Sequence, residues 1–303
     1  MNLPTPLERA PDGLAPGIEL WLKREDVHEL GAFKWRGAAP AIEAYRSKGA
    51  TAVVTASTGN HGAATAWAAG RCGLQAIVFA PQGVSQTKLA LLKQHGADVR
   101  LMGRDMDDAK AGARRFAEDH AFPFFEDGAE PAQYRGYGAI GQEILEQMTK
   151  PPAAVVVPIG NGALIGGIGQ AIRRRSPETA VIGVVAKEAP VMALSFEAGR
   201  VVACDRSSTF ADGLAVRVAI PYAVEVLGKV VTRMVRVSER EIARAVATYA
   251  SVSLRVEAAA GAALAALPRL GEVAGPVVLI VTGANIDDGL YQRALTQAES
   301  FPE

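Results

Sequence analysis

Short apolar runs alternate with longer amphipathic stretches along most of the chain. "AVVTAS" (52–57), "AIVFAP" (76–81) and "DVRLMG" (98–103) have the length and β-branched content of strands, and "FPFFED" (122–127) predicts a fourth. The stretches between them read as helices: 60–72, the run "SQTKLALLKQHG" (85–96) with Ser85 as cap and Gly96 as stop, and 106–120. A second set starts at "AAVVVPIGNGALIGG" (153–167), where a buried-type strand enters a glycine-rich turn and then a helix. "TAVIGVVA" (179–186) and "PVVLIVTGAN" (276–285) add strands, and the stretch from Ser238 adds helices, opened by a capping box over Ser238–Glu241. Strands alternating with helices at this spacing predict an α/β protein of two lobes, each an open, mostly parallel sheet flanked by helices.

Ligands of open parallel sheets bind beyond the carboxyl ends of the strands, and three polar turns fall there. "STGNHG" (57–62) offers the hydroxyls of Ser57 and Thr58 and the N–H groups of a helix start, although a plain helix cap reads the same way. "GNGALIGG" (160–167) lets N–H groups crowd round an anion at a helix N-terminus. It lacks the GK[ST] ending of a P-loop and the GxGxxG spacing, so nucleotide readings lose ground. "VTGAN" (281–285) ends the last strand in Thr282 and Asn285. Upstream, "HELGAFKWRGA" (28–38) sets Lys34 between Phe33 and Trp35. Two readings compete: a surface lysine whose stem covers the rings, or a partly desolvated amine kept for Schiff-base chemistry.

Composition narrows the class. In 303 residues, 32 Lys plus Arg balance 32 Asp plus Glu, which gives no basic face for nucleic acid or anionic membrane. Apolar residues at 49% and charged residues at 21% describe a globular chain. The start "MNLPTPLERAPDG" has neither the basic flank nor the apolar run of a signal peptide, and no run approaches membrane-helix length. The two cysteines, Cys72 and Cys204, match no zinc or redox spacing, which points to a cytoplasmic setting.

Taken in order, "GAFKWRGA", "STGNHG", "PIGNGALIGG", "VEAAAG" and "TGAN" resemble the fold type II pyridoxal-phosphate enzymes, and within them the serine/threonine dehydratase and serine racemase branch. The resemblance spans about Pro6 to Asp287. It implies a fold like the tryptophan synthase β subunit, with a small domain over 52–129, a large discontinuous domain over 1–51 and 130–303, and a homodimer. Pyridoxal 5'-phosphate is the implied cofactor and a small amino acid the implied substrate. Lys34 would hold the cofactor aldehyde, with Phe33 against the ring. Gly160, Asn161, Gly162, Ala163 and Leu164 would cradle its phosphate, Asn60 would bond its 3'-hydroxyl, Thr282 would meet the pyridine nitrogen, and Glu257 would sit near the ring. Ser57, Thr58, Gly59 and His61 would take the substrate carboxylate, and Asp212 and Gly213 in "ADGLAV" (211–216) would line the mouth of the site.

The implied reaction is an ammonia-lyase: Lys34 takes the α-proton, the β-hydroxyl of a substrate such as threonine or serine leaves, and a 2-oxo acid and ammonia result. The alternatives are an amino-acid racemase, for which Thr58 is the candidate second base, and a non-catalytic ligand-binding homologue. Several positions depart from the family pattern. Ala32 stands for a serine, Asn161 and Ala163 stand for glycines, and Val185 stands where related racemases carry a cation-binding acid, so no metal is expected. Arg135 and Tyr137 in "YRGYGAIGQE" (134–143) are larger than expected. Arg135 is a candidate partner for a second substrate carboxylate. With only 18 residues after Asn285, no appended regulatory domain is expected.

Overall fold

The computed structural model describes residues 4–205 and 207–303. The chain opens with β1 (Leu7–Arg9) and β2 (Leu20–Arg24), followed by helix α1 (Trp35–Ser47). Next come β3 (Ala52–Ala56), α2 (Asn60–Cys72), β4 (Gln75–Ala80), α3 (Gln86–Gln94), β5 (Asp98–Leu101), α4 (Met106–Asp119) and α5 (Pro131–Gln147). The remainder alternates β6 (Ala154–Pro158), α6 (Ala163–Arg175), β7 (Ala180–Ala186), α7 (Val191–Ala198), α8 (Pro221–Val230) and β8 (Arg233–Val237). It closes with α9 (Glu239–Ser251), α10 (Ala258–Ala265), β9 (Val277–Val281) and α11 (Asp288–Thr296).

Two compact units result: Met1–Ala32 with Tyr137–Glu303, and Phe33–Gly136. The larger unit holds a six-stranded sheet in the order β1-β2-β9-β6-β7-β8, parallel throughout except that β1 runs antiparallel to β2. Every residue of β6 and β9 is buried, as strands covered on both faces must be. The smaller unit holds the parallel sheet β3-β4-β5. Its core sets Val54, Ile77 and Phe79 against Ala109, Ala113 and Ala117 of α4.

Most expected elements are in place, including the Ser85 cap, the left-handed Gly96 and the Ser238–Glu241 capping box. Three features differ. The segment expected as a fourth strand runs beside β3 with a single bridge, Val54 to Phe124, and is extended rather than a full strand. The unit borders lie at 32/33 and 136/137 instead of 51/52 and 129/130. Helix α1 packs on α2, with Trp35 edge-on to Trp67 at 6.3 Å. A Cβ on Gly136 would lie 1.8 Å from the Arg36 carbonyl oxygen, so the first turn of α5 belongs with α1. Finally, β2 was not legible as a strand because Lys23 interrupts its apolar run. That lysine is fully buried, and its ammonium donates to Thr5 O (2.7 Å), Glu143 Oε2 (2.6 Å) and Gln147 Oε1 (3.0 Å).

Candidate active site

In the smaller unit, Lys34 is the residue from which α1 starts, so its stem is fixed by a helix that Trp35, Ala38, Ala41 and Ile42 anchor in the core. Its Nζ donates to Asp127 Oδ2 at 2.5 Å and lies 5.0 Å from the centre of the buried Phe33 ring. This lysine is therefore neither a solvated surface group nor a structural one like Lys23, whose protons go to three acceptors. Asp127 follows the extended segment beside β3. Gln133 of α5 ties that turn down, donating to Asp127 Oδ1 (3.0 Å) and accepting from the Gly128 N–H (2.8 Å).

The turn 57–62 leaves β3 and enters α2, and the cap is Gly59 with no side-chain hydrogen bond on it, although the serine and threonine before it could have supplied one. Ser57 Oγ instead accepts from the Gly59 N–H at 3.2 Å. Ser57, Thr58, Gly59 and Asn60 are half-buried there. The first N–H groups of α2 are thus not closed off by a side-chain cap, the arrangement that favours a carboxylate at a helix start.

His61, the fifth residue of that turn, faces inward. It is buried one residue into α2, its ring centre 4.7 Å from that of Phe125. Nε2 lies 3.1 Å from Thr55 Oγ1 and 3.3 Å from Phe125 O, and Nδ1 lies 3.5 Å from Asp127 Oδ1. Burial lowers the imidazole pKa and the Lys34 ammonium adds to this, against the opposing pull of Asp127. His61 is a buried support beneath the loop. For Asp127, burial works against ionisation, but the Lys34 ammonium, His61 and Gln133 outweigh it and hold the carboxyl well below the usual carboxylate range.

In the larger unit, the turn 160–162 joins the carboxyl end of β6 to α6. Gly162 caps α6 at φ +93°, a left-handed conformation that favours glycine. A Cβ on Gly160 would stand 2.3 Å from the Gly213 carbonyl oxygen, so only glycine lets the loop lie against the segment 211–216. Asn161 Oδ1 accepts from the Ala163 N–H at 3.0 Å, so the chain itself occupies one donor of the loop. Asp212 and Gly213 are exposed, and Ala163 and Leu164 are buried in the first turn of α6. Beside β6 in the same sheet, β9 is followed by Thr282, which is buried and donates to Glu257 Oε1 at 2.6 Å. Glu257 precedes α10 and its N–H donates to Gly283 O (2.8 Å), so the two residues are locked together by side chain and backbone.

Arg135 is exposed on α5 and Tyr137 is fully buried. Val185 is fully buried in β7. Among the described residues no group of three or more His, Cys, Asp or Glu is placed to hold a metal ion, and no helix is long and apolar enough to cross a membrane. Sequence reasoning missed Asp127 and Gln133.

Residues 2–283 match the family of pyridoxal-phosphate dependent enzymes, and the chain belongs to that family. Its similarity to an L-threonine ammonia-lyase of Geobacter sulfurreducens is 36% identity over 275 residues, covering 89% of this chain and 68% of the relative. The processed form of threonine deaminase isoform 2 from Solanum lycopersicum superposes with a TM-score of 0.92 at 29% identity, covering 99% of this chain and 89% of that one. Maize serine racemase gives 0.89 at 26% identity, covering 98% and 93%.

The residues present suit the family's cofactor. Lys34 is a partly buried amine with a free side chain length beyond α1, and Gly160 and Gly162 form a turn that a Cβ would fill. A Cβ on Gly283 would likewise meet Gly31 O at 2.7 Å and Glu257 Oε2 at 2.9 Å, so the end of β9 is held equally close.

The Thr282–Glu257 contact changes what an acid at 282 would do. Thr282→Asp would place an acid where the pyridine nitrogen of the cofactor is expected to lie. With Glu257 already 2.6 Å from Thr282 Oγ1, two carboxyl groups would share the position and one would be held protonated. A carboxyl whose pKa is raised by folding stabilises the protein at low pH and loses that contribution as pH rises through the folded value. The variant's melting temperature should therefore fall further below wild type at pH 8 than at pH 5. A deficit independent of pH would show that the two side chains do not couple.

Proposed function

We propose that this chain is a pyridoxal-phosphate-dependent ammonia-lyase acting on a β-hydroxy-amino acid such as threonine or serine. The observation that carries it is the amine of Lys34, fixed at the start of α1 and directed at a single carboxylate, in a chain similar over nearly its whole length to threonine ammonia-lyases. When bound, the cofactor supplies an electron sink for the pair left at the α-carbon. Lys34 would hold the cofactor through its aldehyde carbon, and its amine would serve as the general base for the α-proton. The N–H groups opening α2, with Ser57 and Thr58, take the α-carboxylate. The turn 160–164 and the N-terminus of α6 take the phosphate, and Asn60 takes the ring hydroxyl. Thr282, held in place by its hydrogen bond to Glu257, would face the ring nitrogen. A homodimer in a reducing cytoplasm completes the reading. Two free cysteines support the compartment, and sedimentation would check the assembly.

The direct test is 2-oxo-acid release from L-serine, L-threonine, phenylserine and both 3-hydroxyaspartates, with chiral analysis of residual substrate. Release of 2-oxo acid and ammonia in equal amounts is expected. Scrambled substrate chirality without release would favour the racemase. Exposure of Arg135 also limits its leverage on acidic substrates. An exposed ion pair is worth about 0–1 kcal/mol, so Arg135→Ala should change the kcat/KM ratio of 3-hydroxyaspartate to threonine by no more than roughly fivefold.

A further inference from the structure

The parallel strands β6, β7 and β8 are neighbours, so their carboxyl ends share one edge of the larger unit's sheet. The turn 160–162 leaves β6 there, Glu188 comes just after β7, and Glu239 opens α9 just after β8. Glu239 lies in none of the sequence motifs and has no part in the reaction as read above. We infer that Glu239 is a positioning residue for the phosphate turn 160–164, which it steadies through the strap 208–214. The inference rests on that turn being where the cofactor's phosphate binds.

An acid in the first turn of a helix is ordinarily a solvated group favoured by the helix dipole. Glu241 has that kind of place: its side chain accepts from the Ser238 N–H at 2.7 Å and pairs with Arg269. Glu239, in the same turn, faces inward and is only 2% exposed. Its Oε2 accepts from the Phe210 N–H (2.9 Å) and from the Thr209 hydroxyl (3.0 Å), while Oε1 has no partner among the described residues. Burying a carboxyl group is costly unless hydrogen bonds compensate, and here both hydrogen bonds come from the strap.

The strap carries this hold to the turn. Thr209 Oγ1 accepts in turn from the Ala211 N–H at 3.1 Å, and the Asp212 N–H donates to Phe210 O at 3.0 Å. Ala211 and Leu214 are buried in the core, and the Leu214 N–H closes a short helical turn on Ala211 O at 2.8 Å. Between them Gly213 presents its carbonyl oxygen to Gly160, so close that no Cβ fits at 160. At the other end of the strap, the Ser208 N–H donates to Glu188 O at 3.0 Å. Backbone thus ties the strap to the end of β7, and the Glu239 side chain ties it to the end of β8. Without that side chain the Phe210 N–H and the Thr209 hydroxyl lose their acceptor, and Gly213 no longer braces Gly160.

The test measures dissociation constants of pyridoxal phosphate and pyridoxamine phosphate by equilibrium dialysis against the full-length chain stripped of cofactor. Pyridoxamine phosphate carries the phosphate but no aldehyde, so its binding does not pass through a bond to Lys34. Since a misplacement of about 1 Å costs on the order of a hundredfold, a loosened brace in Glu239→Ala should weaken both ligands by about tenfold. Glu239→Gln should stay close to wild type, because one amide oxygen can accept from both donors. Glu241→Ala disturbs the same turn of α9 and should lower the melting temperature without changing either affinity. A loss of the same size there would reduce Glu239 to a part in helix stability and overturn the inference. Wild-type affinities in a folded Glu239→Ala, beside a weakened Gly160→Ala, would also overturn it and leave the phosphate turn standing. Wild-type affinity in Gly160→Ala would remove the phosphate turn and the inference with it. A loss confined to pyridoxal phosphate would mean that the effect runs through Lys34, which refutes the route through the strap. Should Glu239→Ala fail to fold, Thr209→Val is compared with Thr209→Ser, which keeps the hydroxyl. Weaker binding of both ligands in the valine variant is expected, and equal affinities in the two would refute the strap.

Discussion

Lys34→Ala is expected to abolish the cofactor's imine absorbance and to drop turnover below about a thousandth of wild type. Covalent attachment and proton removal both pass through one Nζ, and general acid–base catalysis alone contributes roughly 10²–10⁴-fold. Lys23 cannot substitute, since its ammonium is buried and its protons are given to Thr5, Glu143 and Gln147. The alanine variant also removes the cation that Asp127 faces, so a loss of activity could come from a disturbed loop rather than from lost chemistry. Lys34→Arg separates the two. A guanidinium keeps the charge beside Asp127 and stays protonated, so it cannot form the bond. Both variants should be inactive, while the arginine variant should melt closer to wild type. Activity above a thousandth in a cofactor-loaded Lys34→Arg would refute the assignment.

The fold was legible where periodicity and burial agree. β6, β7 and β9 are uninterrupted apolar runs because parallel strands covered on both faces leave no polar side. The strands that escaped notice carry charge for local reasons. Lys23 in β2 is neutralised by Glu143, 120 residues away, and hydrogen-bonded by Gln147, 124 away, and β8, at the sheet edge, places Arg233 and Arg236 on partly exposed positions. The site was legible to the extent that it is built from turns. Ser57 to Asn60 and Gly160 to Ala163 announce themselves as strand-to-helix junctions. Asp127 did not, because an aspartate after an extended segment looks like any turn residue, and its meaning comes from Lys34, 93 positions earlier. His61 was visible in the motif, but its inward orientation was not: two residues beyond the Gly59 cap its ring meets Thr55 of β3 and Phe125. Thr282 and Glu257 were each seen as neighbours of the ring, but the hydrogen bond between them depends on β9 and α10 meeting.

The second large effect is expected at Gly160. A new Cβ would stand 2.3 Å from the Gly213 carbonyl oxygen, whereas ordinary contact begins at 3.4 Å, so the phosphate turn or the segment 211–216 must move by about 1 Å. Neither side yields easily. The oxygen belongs to backbone, and Gly160 is held from the other direction by the Ile159 N–H donating to Val184 O at 2.7 Å. Displacement of a binding group by about 1 Å costs on the order of a hundredfold. Gly160→Ala should therefore weaken pyridoxal phosphate binding by about that factor, read by absorbance titration of the stripped protein. Gly228→Ala is the matched control, because that glycine lies in α8 with nothing within 4 Å of its would-be Cβ. Alanine there should leave cofactor affinity unchanged and raise the melting temperature slightly, as helix propensity favours alanine over glycine by about 1 kcal/mol. Equal cofactor affinity in Gly160→Ala and Gly228→Ala would mean that the turn 160–164 is not where the phosphate binds. The family's cofactor would then have to be held chiefly through Lys34.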